Sequence, residues 1–217
     1  LTDAGCFLEE CNPTNFDWKE ALANYGAWSF LEMFASTSSV KDLLRGLAIG
    51  IKAEFLARTQ TTFKSGTPLA KKSNLVFPPS LANYNAVLTE RDRQVTQMDR
   101  FMEEWDAWIC PVSITPAFPH CDFGKPIEVD GVKFPYLLAC GGYTMPLNLT
   151  GNPAIAIPIG QSKEGLPIGV QIVGQRWKDM ELLAIATEIS KAIGDFSLTQ
   201  LSLPAWRQPI QFPVNPE

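Results

Sequence analysis

The sequence predicts an α/β fold of about four long helices and at least three strands, the last two forming an antiparallel hairpin. Three observations carry this. Two short apolar runs, Asn148 to Gly160 and Gly165 to Gly174, are bounded by Gly and Pro and separated by a short polar gap, as two buried strands of a hairpin would be. Apolar residues recur at spacings of three and four over residues 16–34, 40–57, 80–105 and 180–192, the period of amphipathic helices. A short apolar run from Asp106 ends at Pro111, where a missing N–H stops a strand ladder.

The elements follow in chain order. Leu1 to Ala4 with Gly5 behind them read as the last turn of a helix and its C-cap, before an extended segment from Cys6 to Cys11. Four residues cannot repay helix nucleation, so the rest of that helix is expected upstream of Leu1. The first full helix carries Trp18, Leu22, Tyr25, Trp28, Leu31 and Phe34 on one stripe, with Asn15 or Asp17 as cap. The second, Val40 to Ala57, places Leu43, Leu44, Leu47, Ile51 and Phe55 on its stripe, weakened by Gly46 and Gly50. A polar connection from Thr59 to Pro79 leads to the longest helix, Ser80 to Trp105, which carries Tyr84, Val87, Leu88, Arg91, Val95, Met98 and Met102 and is charged elsewhere.

Beyond the strand at Pro111, residues 112–133 read as loop or a small hairpin turning at Gly131, and a short helix is expected before Gly141 and Gly142 with a second helical or irregular stretch after them. The two strands of the hairpin, Ala154 to Ile159 and Ile168 to Val173, are expected to be largely buried. The final helix, Met180 to Ala192, should be capped by Asp179 and turn Leu182, Leu183, Ile185, Ala186 and Ile189 inward, and the Pro-rich tail from Phe196 lacks periodicity.

Composition bounds the function classes. With 46% hydrophobic and 19% charged residues in 217, the chain can bury a sizeable core and is not of disordered type. A net charge of −5 without any basic cluster argues against nucleic acid as a partner. The longest nearly uncharged stretch, Phe134 to Gln161, is interrupted by Pro135, Pro146, Pro153 and Pro158 and does not read as a membrane helix. Five irregularly spaced cysteines suggest reduced thiols in a cytoplasmic protein.

No residue pattern announces catalysis. No serine sits in a G-x-S-x-G elbow, and the glycines from Gly151 to Gly174 do not form a phosphate loop, so no cofactor is implied. A zinc site would have to collect Cys6, Cys11, Cys110 and the His120-Cys121 pair from distant segments, and none is expected. Glu9-Glu10 and Glu103-Glu104 are adjacent pairs whose side chains diverge, as on a solvated face.

One resemblance adds to this reading. The pattern N-x-x-G-x-P-A-x-x-x-P-x-G over residues 148–160, followed by G-L-P-x-G-x-Q-x-x-G over 165–174, resembles the C-terminal part of the amidase signature family. Weaker matches stand in the right order before it: Leu1, Gly5, Glu9, Glu10 and Pro13, then Val87, Leu88 and Arg91, then Asp106 and Pro111. The resemblance implies a mixed β-sheet covered by α-helices on both faces, of which this chain holds the later strands. It implies a hydrolase of carbon–nitrogen amide bonds acting through a Ser-Ser-Lys triad. The family carries that triad in a Gly/Ser-rich segment that has no match here.

Residues 1–217 are accordingly read as the C-terminal portion of a single amidase domain, whose partners are the missing N-terminal portion and a small-molecule amide. Met145 and Trp177 fall where members that hydrolyse fatty acid amides line their acyl channel, although both types are also ordinary core residues. The alternatives are a glutamine amidotransferase A subunit or a non-catalytic scaffold derived from the same fold. Half a sheet has an open edge, so self-association of the isolated chain is expected.

Overall fold

A computed structural model describes residues 1–36, 39 and 80–194. The expected helix from Val40 to Ala57, the connection from Thr59 to Pro79 and the tail from Phe196 lie outside the described residues. A 3-10 turn, Thr2–Ala4, closes on Gly5, whose left-handed φ of 83° lets its N–H reach the Thr2 carbonyl. Residues 6–11 join no strand ladder.

Helix α1 is Trp18–Ser36, opened by Asp17, whose Oδ1 accepts from the N–H groups of Lys19 and Glu20 at 2.9 and 3.0 Å. Helix α2 is Leu81–Met102, with Ser80 accepting from the Asn83 N–H as N-cap. After strand β1, Trp108–Pro111, come β2, Ile127–Val129, and β3, Val132–Phe134. The β2–β3 turn places Asp130 and Gly131 at φ 50° and 77°, the left-handed pair that a two-residue hairpin requires. Short helices α3, Tyr136–Gly141, and α4, Thr144–Thr150, flank the glycine pair, and β4, Ala154–Gln161, turns back into β5, Pro167–Val173. Helix α5 is Asp179–Ile193.

The main sheet runs β1-β5-β4, every pairing antiparallel, from Trp108↔Val173 to Pro111↔Val170 on one side of β5 and from Ala154↔Val173 to Gln161↔Pro167 on the other. Helices cover both faces. Ile172 and Val173 are neighbours on β5 and therefore point to opposite faces. Ile172 joins Ile157, Leu182, Ala186 and Ile189 under α5, whereas Val173 joins Cys110, Met98, Met102, Leu147 and Leu149 under α1, α2 and α4.

Three expectations need correction. The stripe that α1 buries is small, Ala21, Ala23, Asn24, Ala27 and Leu31, with Trp18, Tyr25 and Trp28 half-buried at its margins. Alanines let α1 and α2 approach, and the buried Asn24 amide then donates to the Val87 carbonyl at 3.3 Å and to Gln94 Oε1 at 3.1 Å. In α5, Lys178 is the N-cap and Asp179 the first helical residue, where its charge complements the helix dipole; Leu183 faces solvent at 51% exposure.

The third correction concerns the hairpin, which is half covered rather than largely buried. Ile155 and Ile157 pack under α5, but Ala154, Ala156 and Pro158 on the other face of β4 are exposed, and so is Ile159 beside the bulge between Pro158 and Gly160. Among the described residues the helices of that second face reach β1 and β5 and stop short of β4. The exposed edge of β4 carries Pro158, which offers no N–H to a further strand at that point.

Burial holds the Cys110 thiol up at about 11, from an ordinary 9.0. The unfolded chain therefore loses this proton first, and above pH 9 it binds fewer protons than the folded one. Stability is fully retained below that pH and falls as pH rises toward 11. Urea midpoints between pH 8 and 11 should show this decline in the native sequence and a shallower one in Cys110→Ala; parallel curves would refute the assignment.

Candidate functional site

The Gly/Pro-punctuated hairpin motif places its polar residues inside the fold, where each must find a partner. Asn152, buried, donates from Nδ2 to the Gly174 carbonyl at 2.9 Å and accepts the Thr150 hydroxyl on Oδ1 at 2.8 Å. The Gly174 N–H returns a bond to the Pro153 carbonyl at 2.9 Å. The end of β5 is thus tied to the residues that enter β4. Gln171, buried in an otherwise apolar strand, donates to the Pro111 carbonyl at 3.0 Å and to the Tyr143 carbonyl at 3.4 Å, joining the end of β1 to the α3–α4 elbow. On the other side of that elbow the Trp18 indole donates to the Gly142 carbonyl at 2.7 Å. Glycine at 169 lets the strands sit close, since a Cβ there would lie 3.0 Å from the Ile157 carbonyl oxygen and press on the ladder.

From this pinned strand end the chain enters the β5–α5 loop, residues 174–178, which is fastened at two further points. Gln175 Nε2 donates to the Met102 carbonyl at 2.9 Å, and the Arg176 guanidinium grips both oxygens of Asp99 at 2.9 and 2.6 Å. The Asp99 hydrogen bond, with its charge, pushes the Arg176 pKa up further. The paired groups are about one-third exposed, so the fork fixes geometry more than it adds net stability.

Trp177 projects from this clamped loop. Its φ of 67° is the left-handed conformation that a bulky residue rarely adopts, and it is 90% exposed. Held left-handed backbone of this kind is characteristic of sites where a side chain is presented. Next to it an open depression of about 270 Å³ is bordered by Leu147, Asn148, Gly151, Asn152, Trp177 and Asp179. Its lining is mixed, with Leu147 and Pro153 apolar, Asn148 and Asn152 carrying neutral amides and Asp179 a carboxylate.

Of the two sequence-derived site residues, Trp177 borders this depression and is no part of the core. Met145 is half-buried near the start of α4, its side chain laid over Gly141 so closely that a Cβ there would meet Met145 Cε at 2.6 Å. It is not among the residues lining the depression. Three of the described serines are engaged elsewhere: Ser80 caps α2, Ser113 donates to the Ala139 carbonyl at 3.0 Å, and Ser162 accepts from Glu164 and Leu166 in the hairpin loop. His120, Glu9-Glu10 and Glu103-Glu104 are exposed. Among the described residues no three of His, Cys, Asp and Glu gather as a metal site would require. What sequence reasoning missed is the clamp itself, Asp99, Asn152, Gln171, Gln175 and Arg176. The signal available was Gln171, a polar residue in an apolar strand that has to be satisfied from inside.

Comparisons with known proteins agree with this architecture. The family model described as Amidase matches residues 1–183. A fatty acid amide hydrolase of Medicago truncatula is 43% identical over 116 residues, covering 52% of this chain and 18% of the relative. The A subunit of the glutamyl-tRNA(Gln) amidotransferase of Pseudothermotoga lettingae is 37% identical over 183 residues, 80% of this chain and 36% of the relative. Among solved structures, a bacterial aryl acylamidase of the amidase signature family superposes with a TM-score of 0.55 at 20% identity, over 84% of this chain and 36% of that one. The chain belongs to the amidase family. It spans less than two-fifths of the length of these relatives. No described helix is long and apolar enough to cross a membrane.

Proposed function

We propose that residues 1–217 are the C-terminal portion of a single amidase domain that hydrolyses carbon–nitrogen amide bonds, and that this portion completes the fold and forms one wall of the substrate pocket. The observation that carries the reading is the presented Trp177 beside an open depression, within a chain whose residues 1–183 match the family. The Ser-Ser-Lys chemistry then resides in a preceding portion, which would also cover the exposed face and edge of β4. In its absence the same edge favours self-association of the isolated chain. Trp177 and Met145 are the residues proposed to meet the acyl group, Trp177 at the depression and Met145 from the α3–α4 elbow.

A serine-directed phosphonate tests the division of labour. The isolated chain should keep its mass and release no product from an arylamide, whereas the same chain joined to its natural upstream portion should be labelled on an upstream serine. Stoichiometric labelling of any serine between Ser29 and Ser202 would refute the reading.

A second reading, a glutamine amidotransferase A subunit, is favoured by the 80% of this chain that the Pseudothermotoga lettingae relative covers. The joined protein should then release ammonia from glutamine and leave arylamides intact.

A further inference from the structure

Both rims of the depression hang from one helix. The first rim is the end of α4 and the turn into β4, with Leu147, Asn148 and Gly151; the second is Trp177 with Asp179. Arg91 of α2 donates from Nε to the Leu149 carbonyl at 2.9 Å and so holds the first rim. About two turns further along α2, Asp99 holds the second through the Arg176 fork, and at the end of the helix the Met102 carbonyl accepts from Gln175. The Arg176 stem lies against the first rim as well, its Cδ 3.9 Å from the position that a Cβ on Gly151 would take. The Lys178 N–H donates to the Gln175 carbonyl at 3.2 Å, which makes residues 175–178 a β-turn with Arg176 and Trp177 at its centre. A left-handed residue at the third place of such a turn marks the type II form, and that place takes glycine or asparagine without strain. Here it holds Trp177, at φ 67°. A bulky residue stays there only where its neighbours over-determine the backbone. Gln175 and Arg176 do so on one side, and the first turn of α5, starting at Asp179, on the other. Two parallel bonds fix the plane of the guanidinium as well as its position, a constraint that a point charge does not supply.

On the reading of this depression as part of the acyl pocket, we propose that Asp99 and Arg176 are positioning residues for acyl selectivity, holding the Trp177 turn in its left-handed form and so setting the span that the acyl group enters. Neither residue lines the depression, so both act through Trp177. Released from the fork, the turn relaxes toward negative φ at residue 177 and the indole leaves the rim. The α4 rim stays in place, because Arg91 holds it independently. Selectivity between bulky and small acyl groups is then lost while the rest of the fold is kept.

The test compares kcat/KM for a bulky and a small acyl arylamide in the chain joined to its natural upstream portion. Arg176→Lys keeps the charge and loses the fork, whereas Asp99→Asn keeps the shape and sets an amide NH2 against one arm of it. Each should shift the ratio of the two rates in the direction of Trp177→Ala, by roughly 3- to 30-fold, the scale of a modest misplacement within a binding site. In the Trp177→Ala background the same substitutions should leave the ratio where Trp177→Ala alone puts it, because the indole they position is gone. A ratio shifted by Trp177→Ala but native in Arg176→Lys and Asp99→Asn would overturn the proposal and keep Trp177 in the pocket. An unchanged ratio in Trp177→Ala would instead remove the pocket reading, and the proposal with it. Equal losses on both substrates, or a shift that persists without the indole, would show the fork supporting the fold or acting elsewhere, and would likewise overturn the proposal.

Discussion

Asn152→Ala is expected to lower the stability of the chain by about 1–3 kcal/mol, the cost of leaving one buried carbonyl unsatisfied. The Gly174 carbonyl loses its donor where water does not reach, whereas the Thr150 hydroxyl keeps the Leu147 carbonyl, at 3.2 Å, as an acceptor. Asn152→Asp restores the acceptor for Thr150 but sets a carboxylate against the Gly174 carbonyl, so it should not rescue the loss. Urea unfolding followed by far-UV dichroism measures both variants, with an unchanged m-value showing that the shift is one of stability. A loss below about 0.5 kcal/mol, the level of ordinary surface substitutions, would mean that the Asn152 bridge does not hold the strand end.

Trp177→Ala should behave in the opposite way. A side chain 90% exposed has little packing to lose, so stability should move by no more than about 0.5 kcal/mol. Trp177→Gly should be at least as stable as the native chain, since glycine adopts a φ of 67° without steric cost. In the enzyme that contains the preceding portion of the fold, removing the indole should change the ratio of kcat/KM for a bulky and a small acyl amide by about 1–3 kcal/mol, roughly 5- to 150-fold. An unchanged ratio beside unchanged stability would remove Trp177 from the pocket. A large loss of stability would contradict the exposure itself.

These two residues mark what the sequence could and could not convey. Local signals were readable: Gly5 and Gly131 where left-handed backbone is needed, Ser80 ahead of its helix, Pro111 at the end of a strand, and two runs that pair with each other. They are readable because each is decided within a few residues. Burial was less so. The runs from Ala154 and Ile168 are apolar throughout, yet only one face of β4 is covered here, because cover is supplied by other segments and not by the strand's own composition. The stripe of α1 moved for a related reason: alanines at 21, 23 and 27 allow a close approach, and the larger Trp18, Tyr25 and Trp28 are pushed to the rim. At the candidate site, Trp177 was legible as a residue in the strand-to-helix loop. Its presentation was not, since that depends on Asp99 and Met102, more than seventy residues away in the chain.

The antiparallel partner of β1 is β5, and the side chain of Gln171 reaches back 60 residues to the Pro111 carbonyl. During synthesis β1 therefore leaves the ribosome long before β5 exists for it to pair with. At a translation rate of about 5–20 residues per second, its ladder stays open for roughly 3–12 seconds. In that interval α1 and α2 can pack on each other, but the apolar underside that later receives Val173 has no sheet to lie on. The β4–β5 hairpin, by contrast, closes within microseconds of its emergence, because its strands are joined by a short turn. The β4–β5 hairpin thus serves as the template on which the earlier strand finally settles.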